Sequence, residues 1–468
     1  MIVFTVFWTN PNRNGTPMRE SVASQVPLVA SSFDHQHVRE LEEIGRVLDA
    51  HPEFAQWVYE DVTRGVAKPH TGRRGLSGEQ VLRMLVVKQM TGFSYAKLAF
   101  HLGDSTAYRA FCRLGIGDKP PSDSRLKMNL KRVRAETLEK IHWGVLAEAA
   151  ERGVEKGRRV RIDCTVTGTL IHEPSDSSLL WDCVRVLTRA LVRSRDLVSI
   201  PFRDSTRRAK RRTMGIMNAK TKKARRKLYE DLLKVTSTTV ASAECVAEAL
   251  GQRRGLTVLQ HASAQGLAKE LQHYAALARQ VLEQTRRRLW LGETVPAKDK
   301  IVSIFEPHTD IIIKDRREVL YGHKLCLATG ASGLILDCRI EDGNPADATL
   351  AVEMVERQRD IFDRVPRQVA FDGGFASKAN LAQLKELGVD DVMFSKKRGL
   401  KVEDMAKSPA VYRTLRRFRA GVEAGISFFK RSFGLDRVTW RGLDSFKSYV
   451  WASVVSANLL ILARHALH

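Results

Sequence analysis

The sequence predicts an α/β domain on a mixed sheet, interrupted by a large all-α insertion and preceded by an all-α domain. Three observations carry this. Residues 38–150 show helical periodicity, with caps and a tight glycine turn. Strand-like alternation appears at 157–172 and again from residue 322, on either side of a long basic helical block. Beyond residue 322, strands and helices alternate toward the C-terminus.

Residues 1–37 lack sustained periodicity and read as a poorly ordered tail, in which Met18 is an alternative start. The opening "MIVFTVFW" has neither a basic lead nor a clear cleavage site, so it is not read as a signal peptide. In "GLSGEQVLRMLVVKQMTGFSYAKLAFHLG", Ser77 and Gln80 have capping-box spacing, and Val81, Leu82, Leu85 and Val86 line one helical face. Thr91-Gly92 breaks that helix, and Ser94 can cap the next, which carries Leu98 and Leu102. Helix, glycine turn, helix is the helix-turn-helix pattern, and 38–150 is read as a helical DNA-binding domain. Plain αα-hairpins share the pattern.

"GRRVRIDCTVTGTLIH" alternates and is β-branched, which makes it the first strand of a domain spanning 151–468. Residues 176–297 are helical and basic, without strand signals, and are read as an insertion. "GHKLCLATG" and "GLILDCRIED" form a hairpin around Ala331-Ser332-Gly333. "GNPADATLAVEMVERQRDIF" is a helix capped near Asn344, with Pro345 in its first turn. "RQVAFDGGF" is a strand closed by glycines, "SKANLAQLKELG" a helix and "VDDVMFSK" a strand; two long helical segments follow. With the insertion removed, the order is that of ribonuclease H.

Three carboxylates fall at informative places on this order. Asp163 sits within the first strand, where Asp is depleted and costly to bury unpaired. Asp372 ends the strand "QVAFD" before Gly373-Gly374, at the edge where α/β sheets bind ligands. Glu423 lies on a helix beside the apolar stripe of Val422, Phe429 and Phe433, sharing a face with Arg419 and Lys430. Singly, they read as a strand-surface Asp, a turn Asp and half of an ordinary ion pair. Together they match the carboxylate positions of a ribonuclease H-like site for two Mg²⁺ or Mn²⁺ ions.

These segments resemble the bacterial insertion-sequence DDE transposases. The resemblance runs from about residue 75 onward, on "RIDCTVTGTLIHEPSDSSLLWDCVRVLTR", "SIFEPHTDIIIK", "YGHKLCLATGASGLILDCRIEDGNPADA", "VAFDGGFAS" and the closing Glu helix. Arg419, Glu423 and Lys430 match the family spacing Arg-x3-Glu-x6-Lys, while Arg416 stands where several members have Tyr. The resemblance implies that Asp163, Asp372 and Glu423 bind two metal ions. It also implies that the amino-terminal helices recognise terminal inverted repeats, that the enzyme cuts DNA 3′ ends and transfers them to a target, and that it works as a dimer or larger assembly.

The charge agrees with a DNA partner: 77 basic against 53 acidic residues give +24. Within the insertion, Arg207, Arg208, Arg211, Arg212, Lys222, Lys223, Arg225 and Arg226 form a run with little counter-charge, read as phosphate contacts together with Arg419 and Lys430. Asp176, Asp182 and Asp347 read as helix-start residues, Asp390-Asp391 as a cap or turn, and Trp440 as packing. His308 and His323 read as structural, and Asp310 as the strongest rival carboxylate. Six scattered cysteines without a CxxC pair argue against a zinc site and fit a cytoplasmic, nucleoid-associated protein. "VWASVVSANLLILA" is too short and too polar for a membrane span and reads as a buried helix, so no membrane partner is expected. Two other functions stay open: a metal-dependent nuclease or resolvase on the same fold, and a non-catalytic DNA-binding repressor.

Overall fold

The structure, a computed structural model, describes residues 20–22, 34–67, 75–115, 117–255, 257–314 and 318–468. The expected tail and the alternative start at Met18 lie largely outside these residues, and the first helix begins at Gln36.

Seven helices come first: α1 (Gln36–Ala50), α2 (Pro52–Thr63), α3 (Gly78–Thr91), α4 (Tyr95–Asp104), α5 (Thr106–Phe111), α6 (Asp123–Leu130) and α7 (Ala135–Glu151). The local signals act as expected. Ser77 and Gln80 form a reciprocal capping box on α3. Gly92 ends that helix in the left-handed region at φ 64°, a conformation that costs other residues a Cβ clash. Ser94 then accepts the Lys97 N–H to start α4, which buries Leu98 and Leu102 and leaves Phe100 exposed. Arg83 ties this region together from the inside. Its guanidinium is buried and donates to Glu79 at 3.0 Å, Asp49 at 2.5 Å and the Phe111 carbonyl at 3.3 Å.

The chain then enters β1 (Arg159–Gly168) and leaves it for α8 (Asp176–Arg193), α9 (Thr206–Asn218), α10 (Lys222–Gln252) and α11 (Val258–Leu289). It returns through β2 (Asp310–Lys314), β3 (Glu318–Gly330) and β4 (Ile335–Ile340). The remainder is α12 (Asp347–Phe362), β5 (Gln368–Phe371), α13 (Lys378–Glu386), β6 (Asp391–Phe394), α14 (Val402–Met405), α15 (Pro409–Phe433) and α16 (Leu443–Leu467). Two details differ from the sequence reading. Residues 310–314 form a strand of their own. The helix expected to be capped near Asn344, with Pro345 in its first turn, starts at Asp347 with Ala346 as its cap, so Pro345 precedes the first turn. Lys324 holds that start in place by donating to the Pro345 carbonyl at 2.6 Å and pairing with Asp347.

The sheet is mixed and six-stranded, ordered β2-β3-β1-β5-β6, with β4 pairing β3. β1 occupies one edge of β3, so β2 and β4 share the other, one after the next. β5 lies parallel to both β1 and β6. Close approach demands glycine within β3, where a Cβ at Gly322 would meet the Thr167 carbonyl oxygen at 2.0 Å.

Two buried clusters hold the molecule. One joins residues of α1–α7 to the sheet, α12, α13, α15 and α16. α16 is apolar on all sides, which suits a helix surrounded by protein rather than one with a wet face. It is the one helix among the described residues long and apolar enough to cross a membrane, and it is largely buried within the protein. The second cluster is formed by α8–α11 with Ile301 and Ile304. In α10, Leu232, Val235, Thr236, Thr239, Val240, Ala243, Val246, Ala247 and Leu250 recur at three- and four-residue steps and give it one buried face.

Candidate active site

The register of β1 and β5 sets the site. Ile162 lies beside Phe371 in the parallel pair, so the next residues, Asp163 and Asp372, emerge side by side at the same edge of the sheet. Their carboxylates meet one guanidinium. Arg419 Nη2 is 3.1 Å from Asp163 Oδ2 and 3.1 Å from Asp372 Oδ1, while Nη1 is 3.3 Å from Glu423 Oε1. The structure thus brings Asp163, Asp372 and Glu423 around Arg419. The burials differ: side-chain exposure is 15% for Asp163, 40% for Asp372 and 75% for Glu423.

α15 is held to the sheet by Val422, Phe429 and Phe433, all buried as the sequence stripe implies. Arg161, two residues before Asp163 and on the same face of β1, adds a polar anchor. It donates to the Phe418 carbonyl at 3.0 Å and to Thr329 Oγ1 at 2.9 Å, with its guanidinium over the Phe418 ring. Ser395, just past β6, donates its hydroxyl to Asp372 Oδ1 at 2.7 Å. Neither residue was legible as part of the site. The one hint for Ser395 was a polar residue closing a strand beside that of Asp372.

The environments of the two aspartates separate them. Burial pushes Asp163 up to about 6, with Asp372 and Asp347 adding to the rise, against the pull of Arg419 and the Cys164 N–H. At Asp372 burial also acts upward, but the Ser395 hydroxyl, the Gly373 N–H, Arg419 and Lys396 outweigh it and hold the carboxyl below its usual range.

Among the described residues no three His, Cys, Asp or Glu side chains converge as a ready metal cage. The donor set at the sheet edge is nevertheless all carboxylate oxygen, the type that hard divalent cations prefer, and its shared partner is a cation.

The other residues singled out in the sequence have separate partners. Asp310 accepts from the Gly343 N–H and contacts His323, which contacts His308, which contacts Glu306. Asp176 begins α8 and receives two bonds from Arg288, whereas Asp182 sits two turns in, paired with Arg185. Asp390 pairs with Arg367, Asp391 accepts the Lys407 N–H, and Trp440 is buried under Lys131.

Lys430 turns from the triad toward Asp436, 3.8 Å away. It also lines a cleft of about 1190 Å³ between the end of β1 and helices α8 and α9. Trp181, Tyr321, Arg185, Lys210 and Arg437 share that lining. Of the basic run, Arg208 and Arg212 are engaged by Asp231, whose carboxyl they pull down to about 2. Arg225 donates to the Ala219 carbonyl, and Arg226 lies near Glu230 and over Trp290. Arg207, Arg211, Lys222 and Lys223 are exposed.

Two family models match the chain: one described as Transposase DDE domain over residues 307–459, the other as Transposase domain (DUF772) over residues 30–132. Together they span more than half of the chain, and both define the class as transposase. The two matches support an insertion-sequence DDE transposase. No curated protein and no solved structure matches it.

Proposed function

We propose that this protein binds the terminal inverted repeats of its element, cuts the DNA at the element's 3′ ends and joins those ends to a target. The observation that carries the reading is the placement of Asp163 and Asp372 on adjacent parallel strands, with Glu423 drawn to the same guanidinium. The strand order supports a ribonuclease H-like domain interrupted by α8–α11.

Asp163, Asp372 and Glu423 are the residues that would hold a pair of divalent cations such as Mg²⁺ or Mn²⁺. When bound, these would supply Lewis acidity to in-line phosphoryl transfer. Ser395 fixes Asp372, Arg161 docks the helix bearing Glu423, and Arg419 is placed to meet a phosphate. The cleft beyond β1 offers cations for the DNA backbone and flat rings for exposed bases. Both reactions displace an oxygen at phosphorus: water attacks first, then the freed 3′-hydroxyl attacks target DNA. One carboxylate centre serves both. α3 and α4, with their glycine turn, are the candidate readers of the terminal repeat.

A strand-transfer assay with Mg²⁺ tests the reading on wild type and Asp372→Asn. The expected outcome is loss of both cleavage and joining with DNA binding retained. Undiminished joining by the variant overturns it. Cleavage without joining by the wild type favours a nuclease, and DNA binding without either reaction favours a repressor.

A further inference from the structure

We propose that Arg419 is a built-in counter-cation that keeps metal ions off the three carboxylates until a DNA phosphate draws its guanidinium away. The inference rests on the assignment of Asp163, Asp372 and Glu423 as metal ligands and concerns what regulates them.

The geometry is that of a stopper. One guanidinium contacts an oxygen of each carboxylate, at 3.1, 3.1 and 3.3 Å, and no other cation forms an ion pair with any of the three among the described residues. A Mg²⁺ ion must approach such oxygens to about 2.0–2.1 Å, with waters completing its shell. A positive, planar group lodged among the same oxygens occupies that space and repels the ion. Loading therefore requires the side chain to leave.

The side chain has somewhere to go and a reason to leave. It is rooted in α15, with 16% of its side-chain surface exposed. Its Nε is buried and has no hydrogen-bond partner among the described residues, so the present arrangement leaves that donor unused. A phosphate accepts two parallel N–H bonds from a guanidinium, a fork–fork geometry that can also engage Nε. Arg161 is fixed by Thr329 and Phe418, so of these two arginines Arg419 is the one left to move. DNA backbone arriving at the site would take up the guanidinium and uncover the carboxylates in one step. The consequence is ordered assembly: DNA first, metal second. The chemistry is then withheld from a protein that has no DNA to cut.

By linkage, whatever factor DNA adds to metal affinity, metal must add to DNA affinity. Mn²⁺ binding, read as the loss of the free-ion EPR signal, tests this without any turnover. The probes are full-length wild type, Arg419→Gln and Asp372→Asn, each alone and with a duplex carrying the terminal repeat that flanks the gene. The wild type alone is expected to bind Mn²⁺ weakly, and Arg419→Gln about tenfold tighter, within the usual range of coupling factors of about 5–150. The duplex should tighten Mn²⁺ binding to the wild type by a similar factor and to Arg419→Gln by less. A circular dichroism melt confirms that the variants are folded.

An Arg419→Gln protein that binds Mn²⁺ no more tightly than wild type without DNA overturns the proposal. Equal tightening of both proteins by the duplex overturns it as well. Asp372→Asn separates the two readings. If it abolishes strand transfer while Arg419→Gln shows no gain in Mn²⁺ affinity, only the stopper falls. If it leaves strand transfer intact, the carboxylate assignment itself fails.

Discussion

Asn458 offers the sharpest structural prediction because one side chain closes a buried polar junction. It lies in the middle of α16 with no exposed surface. Its Oδ1 accepts the Ile335 N–H at 2.9 Å, and its Nδ2 donates to the Ile335 carbonyl at 2.7 Å and to His142 Nδ1 at 3.2 Å. One amide thus satisfies the outer edge of β4 and orients an imidazole on α7. Asn458→Leu keeps the branched outline, though with a bulkier side chain, and removes all three bonds. Two backbone groups are orphaned, each costing about 1–3 kcal/mol, and His142 loses a donor, so a net loss of about 3–6 kcal/mol is expected. Against a typical total of about 5–15 kcal/mol that is a large fraction. Urea unfolding followed by tryptophan fluorescence is the natural assay, since the Trp451 ring lies tilted against His142 with centroids 5.3 Å apart and reports on this junction. The midpoint should fall by about 1 M or more. A change below about 1 kcal/mol would show that the junction is not holding α16 to the sheet.

Three further outcomes are expected. Burial lowers His142 to about 4, well below its ordinary value. The unfolded chain therefore binds the proton first, and this contribution is complete above about pH 6.5 and lost as pH falls toward 4, at about 3 kcal/mol in total. His142→Gln should flatten the stability profile in that window, and an unchanged slope would contradict the assignment. Ser395→Ala removes a hydroxyl from an ionised carboxylate, a bond worth about 1.5–3 kcal/mol, so strand transfer should slow about 10–100-fold while DNA affinity holds; wild-type rates would refute the positioning role. For DNA affinity, Arg207→Ala with Arg211→Ala should reduce the log–log salt slope by about 0.9 per lost phosphate contact. Arg208→Ala, already engaged by Asp231, should change it less, and the reverse ranking would relocate the DNA surface.

Much of the fold was readable because its signals are local. The Ser77–Gln80 box, the Gly92 turn and the buried stripe of α15 each depend on residues a few positions apart. Asp163 and Asp372 could be placed because strand edges and glycine turns are also local features. Their shared partner could not be fixed so easily: Arg419 lies one helical turn from Glu423, but its contact with Asp163 spans most of the domain. Arg161 and Ser395 were missed for the same reason, since what they hold is distant in sequence. β2 escaped notice because "DIIIK" is short and is bounded by charge rather than turn residues. The start of α12 was misjudged because Asn344-Pro345 is a strong local capping signal, while Lys324 fixes the actual start from another strand. The run from Arg207 to Arg226 looked uniform in sequence. In three dimensions Asp231 engages Arg208 and Arg212, while Arg207 and Arg211 beside them stay exposed.

The place where the chain leaves and rejoins the sheet has a consequence for the protein's adaptability. Gly168 at the end of β1 and Asp310 at the start of β2 both pair with Gly322, one on each side of β3. Their neighbours Thr169 and Thr309 touch through their hydroxyls at 2.9 Å. The helices α8–α11 are therefore attached at a single closed doorway and carry their own interior. A turn of a few residues could bridge that doorway, two strand spacings or about 10 Å across. The helical block can then be lengthened, trimmed or exchanged without shifting the register that sets Asp163 beside Asp372. This appendage could then be redesigned while the carboxylate cluster at the sheet stays fixed.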